Sequence, residues 1–261
     1  MAAALAGAAV VRAMFGSALA RFGKSGGDFA TAADLEAEEA ITAVIRAARP
    51  ADAIVGEETG SAGADGAERR WLVDPLCGTL NYAARSMLAA VNVALRSGPG
   101  ITTAASADPF SGEVFWTDGD RACLRSDGAD AALAPSPGTQ LVDVNLDPPF
   151  PNAPRFRAVR LLADEAFTAR FRPRVVSTTL ALAWVAAGRR AAYVTDGHLI
   201  DSVHFAAGIA LCQAAECTVT GIDGQPLHAG AGGLIAAADV VTHAALLAMI
   251  GDQTRSTFTR R

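Results

Sequence analysis

The residues best placed to do chemistry lie in Trp71-Leu-Val-Asp-Pro-Leu-Cys-Gly-Thr79, followed by Leu80, Asn81 and Tyr82. The apolar run from Trp71 to Val73 predicts a buried strand that Asp74-Pro75 ends, and Gly78-Thr79 supplies a tight turn and a hydroxyl. A carboxylate thus stands where a strand stops. Backbone N–H groups opening a following helix would face the same spot and could hold anionic oxygens or a metal-bridged phosphate. Cys77 is the unusual member of that stretch. A second acidic point is Ala53-Ile-Val-Gly-Glu57-Glu58, a short strand ending in adjacent carboxylates that repel each other unless a cation or donor sits between them. A solvated loop explains that pair equally well at this level. Thr31 and Asp34 are spaced as an N-cap and its box-like partner, and local sequence alone assigns them no more than that.

These groups need elements to hold them. Apolar spacing predicts a first helix over residues 2–22, broken by Gly23-Lys24-Ser25-Gly26-Gly27, and a second over 31–49 through Leu35, Ile41, Val44 and Ile45. Strands are predicted at 87–95, 101–105 and 112–116, and the Asp127-Gly128 turn suggests an antiparallel meander. A Pro- and Ala-rich stretch over 129–154, around one short strand at 140–146, marks a boundary between residues 1–139 and residues 140–261. Beyond it, helices are predicted at 156–171, 180–187, 205–215 and 240–250. Strands are predicted at 174–179, 191–195 and 233–238, with a strand and turn over 217–224. His204 falls close to the start of one of these helices, and Asp196-Gly197 follows a strand. Strands and helices interleave in both halves, so the predicted class is α/β or layered α+β.

With 261 residues and 51% hydrophobic content, the chain can bury a sizeable core. A net charge of -5 without a basic block argues against non-specific nucleic-acid binding, which needs clustered Lys and Arg. Cys77, Cys123, Cys212 and Cys217 form no CxxC pair, which excludes a zinc knuckle or disulfide framework and predicts a reducing, cytoplasmic setting. The apolar N-terminus lacks a basic start and is interrupted by Arg12, so it reads as an amphipathic helix rather than an export signal. No run approaches the ~20 apolar residues of a membrane span.

Taken together, these pieces resemble the inositol monophosphatase family, the Mg2+-dependent, lithium-sensitive phosphatases that include fructose-bisphosphate and phosphoadenosine phosphatases. Lys24-Ser-Gly-Gly-Asp28 with Thr31 and Asp34 resembles the family's Lys…Asp-x-x-Thr-x-x-Asp opening. Val55-Gly-Glu-Glu58 is similar to its Gly-Glu-Glu motif, and Trp71 to Asn81 to its Trp-x-x-Asp-Pro-x-Asp-Gly-Thr-x-Asn signature. Val203-His-Phe-Ala-Ala-Gly208 is similar to its Trp-Asp-x-Ala-Ala-Gly, and Val185-Ala-Ala-Gly188 and Gly221-Ile-Asp-Gly224 fall where the family has comparable segments. The resemblance implies a metal held by Glu57, Asp74, the Leu76 carbonyl and Thr79, with Thr79 and Asp34 orienting the attacking water. It also implies phosphate contacts at Gly78 and Thr79, a substrate contact near Asp196, a small phosphorylated sugar, polyol or nucleotide as substrate, and a homodimer. Hard carboxylate oxygens suit Mg2+, which activates water and polarises a phosphoryl group.

The resemblance breaks at the second metal, which would share Asp74 and take one further Asp from each signature. Those two positions are Cys77 and His204, which the shared fold would set facing each other across Asp74. Thiolate, imidazole and carboxylate are softer than three carboxylates and would favour Zn2+ or another transition metal. Alternatively, Cys77 beside His204 at a helix start would have a lowered pKa, making a nucleophile and base for covalent transfer. The third reading is that the second metal is lost, leaving a one-metal phosphatase or a non-catalytic binding protein. Val203, Val176 and Ala214-Ala215-Glu216 also depart from the family pattern and change the wall that a polyol would meet. His198, His228 and His243 read as surface or loop histidines, Cys123, Cys212 and Cys217 as packing residues, and Trp116 and Trp184 as core.

Overall fold

Two helices begin the chain because alanine-rich segments lose little side-chain entropy and hold a helical register. In the computed structural model, which describes residues 1–24, 28–64, 66–199 and 202–258, α1 spans Ala2–Met14 and α2 spans Ala32–Ala48. The first helix is shorter than predicted. Gly16 adopts a left-handed φ of 80°, and the chain then forms β1 (Arg21–Gly23), antiparallel to β2 (Phe29–Thr31). Ser25, Gly26 and Gly27 of the expected loop lie outside the described residues.

The described residues divide into two compact units. One comprises Met1–Ala132 with Thr178–Leu180 and Val203–Leu211; the other comprises Leu133–Ser177, Ala181–Ser202 and Cys212–Arg261. The two contiguous halves expected from composition contain no such exchange of segments.

The first unit is built on an eight-stranded sheet. Its strands are β3 (Ala53–Gly56), β4 (Gly60–Ala62), β5 (Arg69–Cys77), β6 (Ala90–Ser97), β7 (Gly100–Ala107), β8 (Val114–Thr117), β9 (Ala122–Ser126) and β10 (Ala129–Ala132). Their order is β10-β9-β8-β7-β6-β5-β3-β4. From β5 to β10 the strands form the antiparallel meander that the turn chemistry predicted. Side chains alternate between the two faces of a strand. Val73, Val93 and Ala105 accordingly pack with Ala37, Ile41 and Val11 of α1 and α2, while Leu72, Ala94 and Ala104 pack with Val203, Ala207 and Ala210 of α6 (Val203–Ala214). Both faces of the sheet are covered, so successive residues at the centres of β5 and β6 are buried on either side.

Strand β5 does not stop at Asp74-Pro75. It continues to Cys77, with an irregularity in its pairing to β6: Asp74 faces Asn92 and Cys77 faces Ala90, so three steps on one strand match two on the other. Proline offers no N–H to a ladder, and a bulge is where a strand tolerates it. Gly78, at φ 99°, then turns the chain into the five-residue α3 (Thr79–Ala83).

The second unit carries a five-stranded sheet of order β12-β11-β13-β15-β14. These strands are β11 (Leu141–Asn145), β12 (Arg172–Val175), β13 (Ala192–Thr195), β14 (Thr218–Thr220) and β15 (Leu234–Ala237). Phe156, Phe167 and Phe171 join Val142, Val194 and Ile235 in its core, with Leu246 and Ile250 from α7 (Val240–Phe258). The single helix predicted over 156–171 is instead a 3-10 helix, Ala158–Ala163, and then α4, Glu165–Arg170. Asp164 interrupts them as the N-cap of α4, its Oδ1 accepting the Phe167 N–H at 2.9 Å. A short α5 (Leu180–Ala186) ends before Gly188, whose left-handed φ of 69° closes it as predicted. The chain is a layered α/β fold.

Candidate functional site

Apart from Asp196, the candidate side chains all belong to the first unit. At the start of α2, Asp34 is fully buried and accepts three hydrogen bonds through its two oxygens. Its Oδ2 takes the Thr31 N–H at 2.8 Å and the Thr31 hydroxyl at 2.6 Å, and its Oδ1 takes the Thr79 hydroxyl at 2.9 Å. The capping box predicted from sequence is formed, and the same carboxylate also reaches α3. Capping and site are therefore one geometry. Burial pushes the Asp34 carboxyl up, while the Thr31 and Thr79 bonds and the Lys24 charge hold it back. Thr79 Oγ1 is also 3.1 Å from the Leu76 carbonyl, so it bridges the bulge and the cap of α2.

Glu57 and Glu58 follow β3 with a cation between them: Lys24 Nζ lies 2.8 Å from Glu57 Oε1 and 2.7 Å from Glu58 Oε1. The backbone that carries them is held by Glu38. Its buried carboxylate accepts the Glu58 N–H at 2.9 Å, the Thr59 N–H at 2.8 Å and the Thr59 hydroxyl at 2.5 Å. Gly56 makes room for it, because any Cβ there would collide with the Glu38 carboxylate. Sequence reasoning missed Glu38, though it stands one helical turn after Asp34 and so on the same face of α2. Glu57 Oε2 is buried and has no hydrogen-bond partner among the described residues. Burial and the neighbouring Asp74 charge push the Glu57 carboxyl up to about 8, against the pull of His204 and Lys24.

Asp74 is fully buried at the bulge. Its Oδ2 lies 2.9 Å from His204 Nδ1 and 3.4 Å from Asn92 Nδ2, and its Oδ1 accepts the Leu76 N–H at 3.2 Å. His204 Nδ1 is also 3.7 Å from Glu57 Oε2. Burial would lower the imidazole, but Asp74 and Glu57 outweigh it and push His204 up to about 9. Burial likewise opposes the Asp74 anion, and His204 outweighs it, so Asp74 sits below the usual carboxylate range. Cys77 Sγ accepts the Thr179 N–H at 3.4 Å, and Thr179 Oγ1 in turn accepts from Asn92 Nδ2 at 2.8 Å. Burial, then the Asp74 charge, push the Cys77 thiol well above its ordinary value. That direction is opposite to the lowered thiol that the covalent-transfer reading requires, and the His204 nitrogen is engaged with Asp74. Asn92 and Thr179 were not anticipated; a lone Asn in the apolar run of β6 was the available signal.

The donor set fits a divalent cation at the first metal position. Glu57 Oε2 is a buried oxygen that makes no hydrogen bond among the described residues, and Asp74, the Leu76 carbonyl and Thr79 Oγ1 are hard oxygen donors of the kind Mg2+ takes.

Asp196 lies in the second unit, following β13. Both its oxygens are buried without a hydrogen-bond partner among the described residues. Burial pushes its carboxyl up to about 6, with Asn152, Arg157 and Arg160 pulling the other way. His198 and His228 are exposed, as expected. His243 is not a surface residue: it is buried on α7, its Nε2 2.8 Å from Thr220 Oγ1, because the helical register turns it inward. Cys212 and Cys217 are buried, whereas Cys123 is half-buried. Trp116 and Trp184 sit at the edge of packing rather than inside it: the Trp116 indole donates to Asp130 Oδ1 at 2.9 Å, and the Arg190 guanidinium lies 4.6 Å from the Trp184 ring centre. Among the described residues, no helix is long and apolar enough to cross a membrane.

Known proteins resemble the chain over most of its length. The model of the inositol monophosphatase family matches residues 1–255. The inositol-1-monophosphatase of Caulobacter vibrioides is 30% identical over 207 residues, 77% of this chain and 78% of that protein. The Nus factor SuhB of Pasteurella multocida is 30% identical over 226 residues, 82% of this chain and 80% of that protein. Among solved structures, the extragenic suppressor protein SuhB of Bartonella henselae matches with a TM-score of 0.82 at 24% identity, covering 95% of each chain.

Proposed function

The chain belongs to the inositol monophosphatase family, and from that premise we propose that it hydrolyses the phosphoric monoester of a small metabolite, a sugar, polyol or nucleotide phosphate, to the free alcohol and inorganic phosphate. The observation that carries this reading is the Thr79–Asp34 contact of 2.9 Å. A Thr hydroxyl that donates to a buried carboxylate keeps its lone pairs free to accept from a water. Asp34, raised by burial, is the group to which that water's proton would be drawn. Thr31 fixes the carboxylate from behind through its N–H and hydroxyl, so Thr79 meets it in one orientation.

Glu57, Asp74, the Leu76 carbonyl and Thr79 would hold a divalent cation, Mg2+ in the simplest case. When bound, that ion supplies Lewis acidity to a phosphoryl oxygen and to water. Lys24 and Glu38 keep Glu57 in place for that role, one by charge and the other by fixing the backbone after it. The second metal position, with Cys77 and His204 in place of carboxylates, is remodelled in this proposal. The same reading carries a homodimer in the cytoplasm, which sedimentation and cell fractionation test.

The functional test is phosphate release from a panel of sugar, polyol and nucleotide monophosphates, with added Mg2+ and with chelator. Release that depends on the cation supports the proposal. No release across the panel, or release that chelation leaves unchanged, overturns it.

A further inference from the structure

Asp74, Cys77 and His204 each offer one ligand atom, and these atoms lie within 4.8 Å of one another. We propose that they form a soft-metal site selective for Zn2+ over Mg2+, which replaces the all-carboxylate arrangement at the second metal position. It rests on the reading of Asp74 as a metal carboxylate given above, and it does not need the hydrolase activity.

The backbone explains why these side chains meet. In a regular strand, residues three apart point to opposite faces, so Asp74 and Cys77 should diverge. The bulge between them, three steps against two of β6, turns Cys77 back to the side of Asp74. His204 arrives from the first turn of α6, whose Val203 and Ala207 are packed on the sheet, and its ring lies against Asp74 at 2.9 Å.

The ligand chemistry then decides the metal. Mg2+ demands hard oxygens in near-octahedral array and dehydrates reluctantly. One sulfur, one nitrogen and one oxygen are a poor match for it and a good one for Zn2+, which is content with four tetrahedral ligands. Zn2+ bonds of about 2.0–2.3 Å place tetrahedral ligand atoms roughly 3.3–3.8 Å apart. The cluster brackets that spacing, from 2.9 Å between His204 and Asp74 to the outer limit of 4.8 Å, so small side-chain rotations suffice. His204 leaves 41% of its side chain exposed, which gives a fourth ligand, water or substrate, a way in. On binding, the Cys77 S–H bond and the His204 ring N–H bond facing Asp74 both break, the two protons go to solvent, and the thiolate sulfur and the freed imidazole lone pair bond to the metal.

The groups behind the ligands are those a metal site needs. Thr179 N–H points at Cys77 Sγ and would stabilise a thiolate, and Asn92 joins Thr179 to Asp74 through one amide. These bonds give the buried Asn92 amide nitrogen its partners.

The test uses the full-length protein stripped with chelator and titrated with Co2+ as an optical stand-in for Zn2+. The expected result is a thiolate-to-cobalt charge-transfer band that saturates near one equivalent, disappears on adding Zn2+, and persists under about hundredfold Mg2+ excess. Cys77→Ser should abolish the band and weaken Zn2+ binding by at least about tenfold to a hundredfold, the range seen when even outer partners are lost. Should Cys77→Ser fail to fold, the double variant Cys77→Asp/His204→Asp takes its place, with the band lost and the preference turned toward Mg2+. Absence of the band in the wild type, its survival in Cys77→Ser, or displacement by Mg2+ overturns the proposal. A protein that shows the band but hydrolyses no phosphate ester upholds this inference and removes the hydrolase reading; the reverse pattern does the opposite.

Discussion

Replacing Glu38 with alanine should destabilise the protein and release the segment that carries Glu57. The carboxylate is 1% exposed and accepts from the Glu58 N–H, the Thr59 N–H and the Thr59 hydroxyl. Bonds to a charged acceptor contribute about 1.5–3 kcal/mol each, so a fully buried set would sum to about 5–9 kcal/mol. Glu58 and Thr59 are partly open to solvent, and water can replace much of what they lose. A net cost of about 3–4 kcal/mol follows, with a cavity contribution already inside that range. For a chain of this size that lowers the melting temperature by roughly 6–16 °C. Glu38→Gln keeps one acceptor oxygen and turns the other position into a donor facing an N–H, so it should lose an intermediate amount. Thermal unfolding followed by circular dichroism, run beside isothermal titration of Mg2+, measures both stability and cation affinity. A Glu38→Ala protein that melts within about 2 °C of the wild type would refute the reasoning, because breaking a buried hydrogen-bond network is among the few changes that produce large losses.

Gly56→Ala places a methyl against the Glu38 carboxylate and should destabilise by about 2–3 kcal/mol; combined with Glu38→Ala the two losses should fall well short of their sum, as denaturant titration of the double-mutant cycle will read. Asp34→Asn should lower kcat by about 10²–10⁴-fold with KM nearly unchanged, which steady-state assays of phosphate release will check. Asp196 has a folded carboxyl near 6, above the unfolded value of about 3.9, so the folded state holds its proton more tightly. Its favourable contribution is complete below about pH 4 and is lost as pH rises to about 6, and Asp196→Asn should flatten that decline in urea denaturation between those values.

Much of the fold could be read from local patterns because they agree with tertiary demands. The Thr31/Asp34 box caps α2, Asp127-Gly128 turns β9 into β10, and Gly188 closes α5. Where local pattern and packing disagree, sequence misleads. Asp74-Pro75 looks like a strand stop, yet a bulge lets β5 run on to Cys77; the 156–171 periodicity hides the Asp164 cap that splits it. Alanine periodicity also carries the expected first helix past Gly16, because alanine says little about where a helix ends. At the site, the motif residues are visible in the sequence, but their supports are not. Glu38, Asn92 and Thr179 act through partners from 18 to 102 residues away, a distance no window along the chain can see.

If a divalent cation on Glu57 and Asp74 underlies the activity, phosphate release measured against free Mg2+ for the wild type and Glu57→Gln tests it most directly. The wild type should show a saturable rise in rate, and Glu57→Gln a curve moved to much higher Mg2+ or abolished. Superimposable curves, or a rate indifferent to Mg2+ in both proteins, would contradict it.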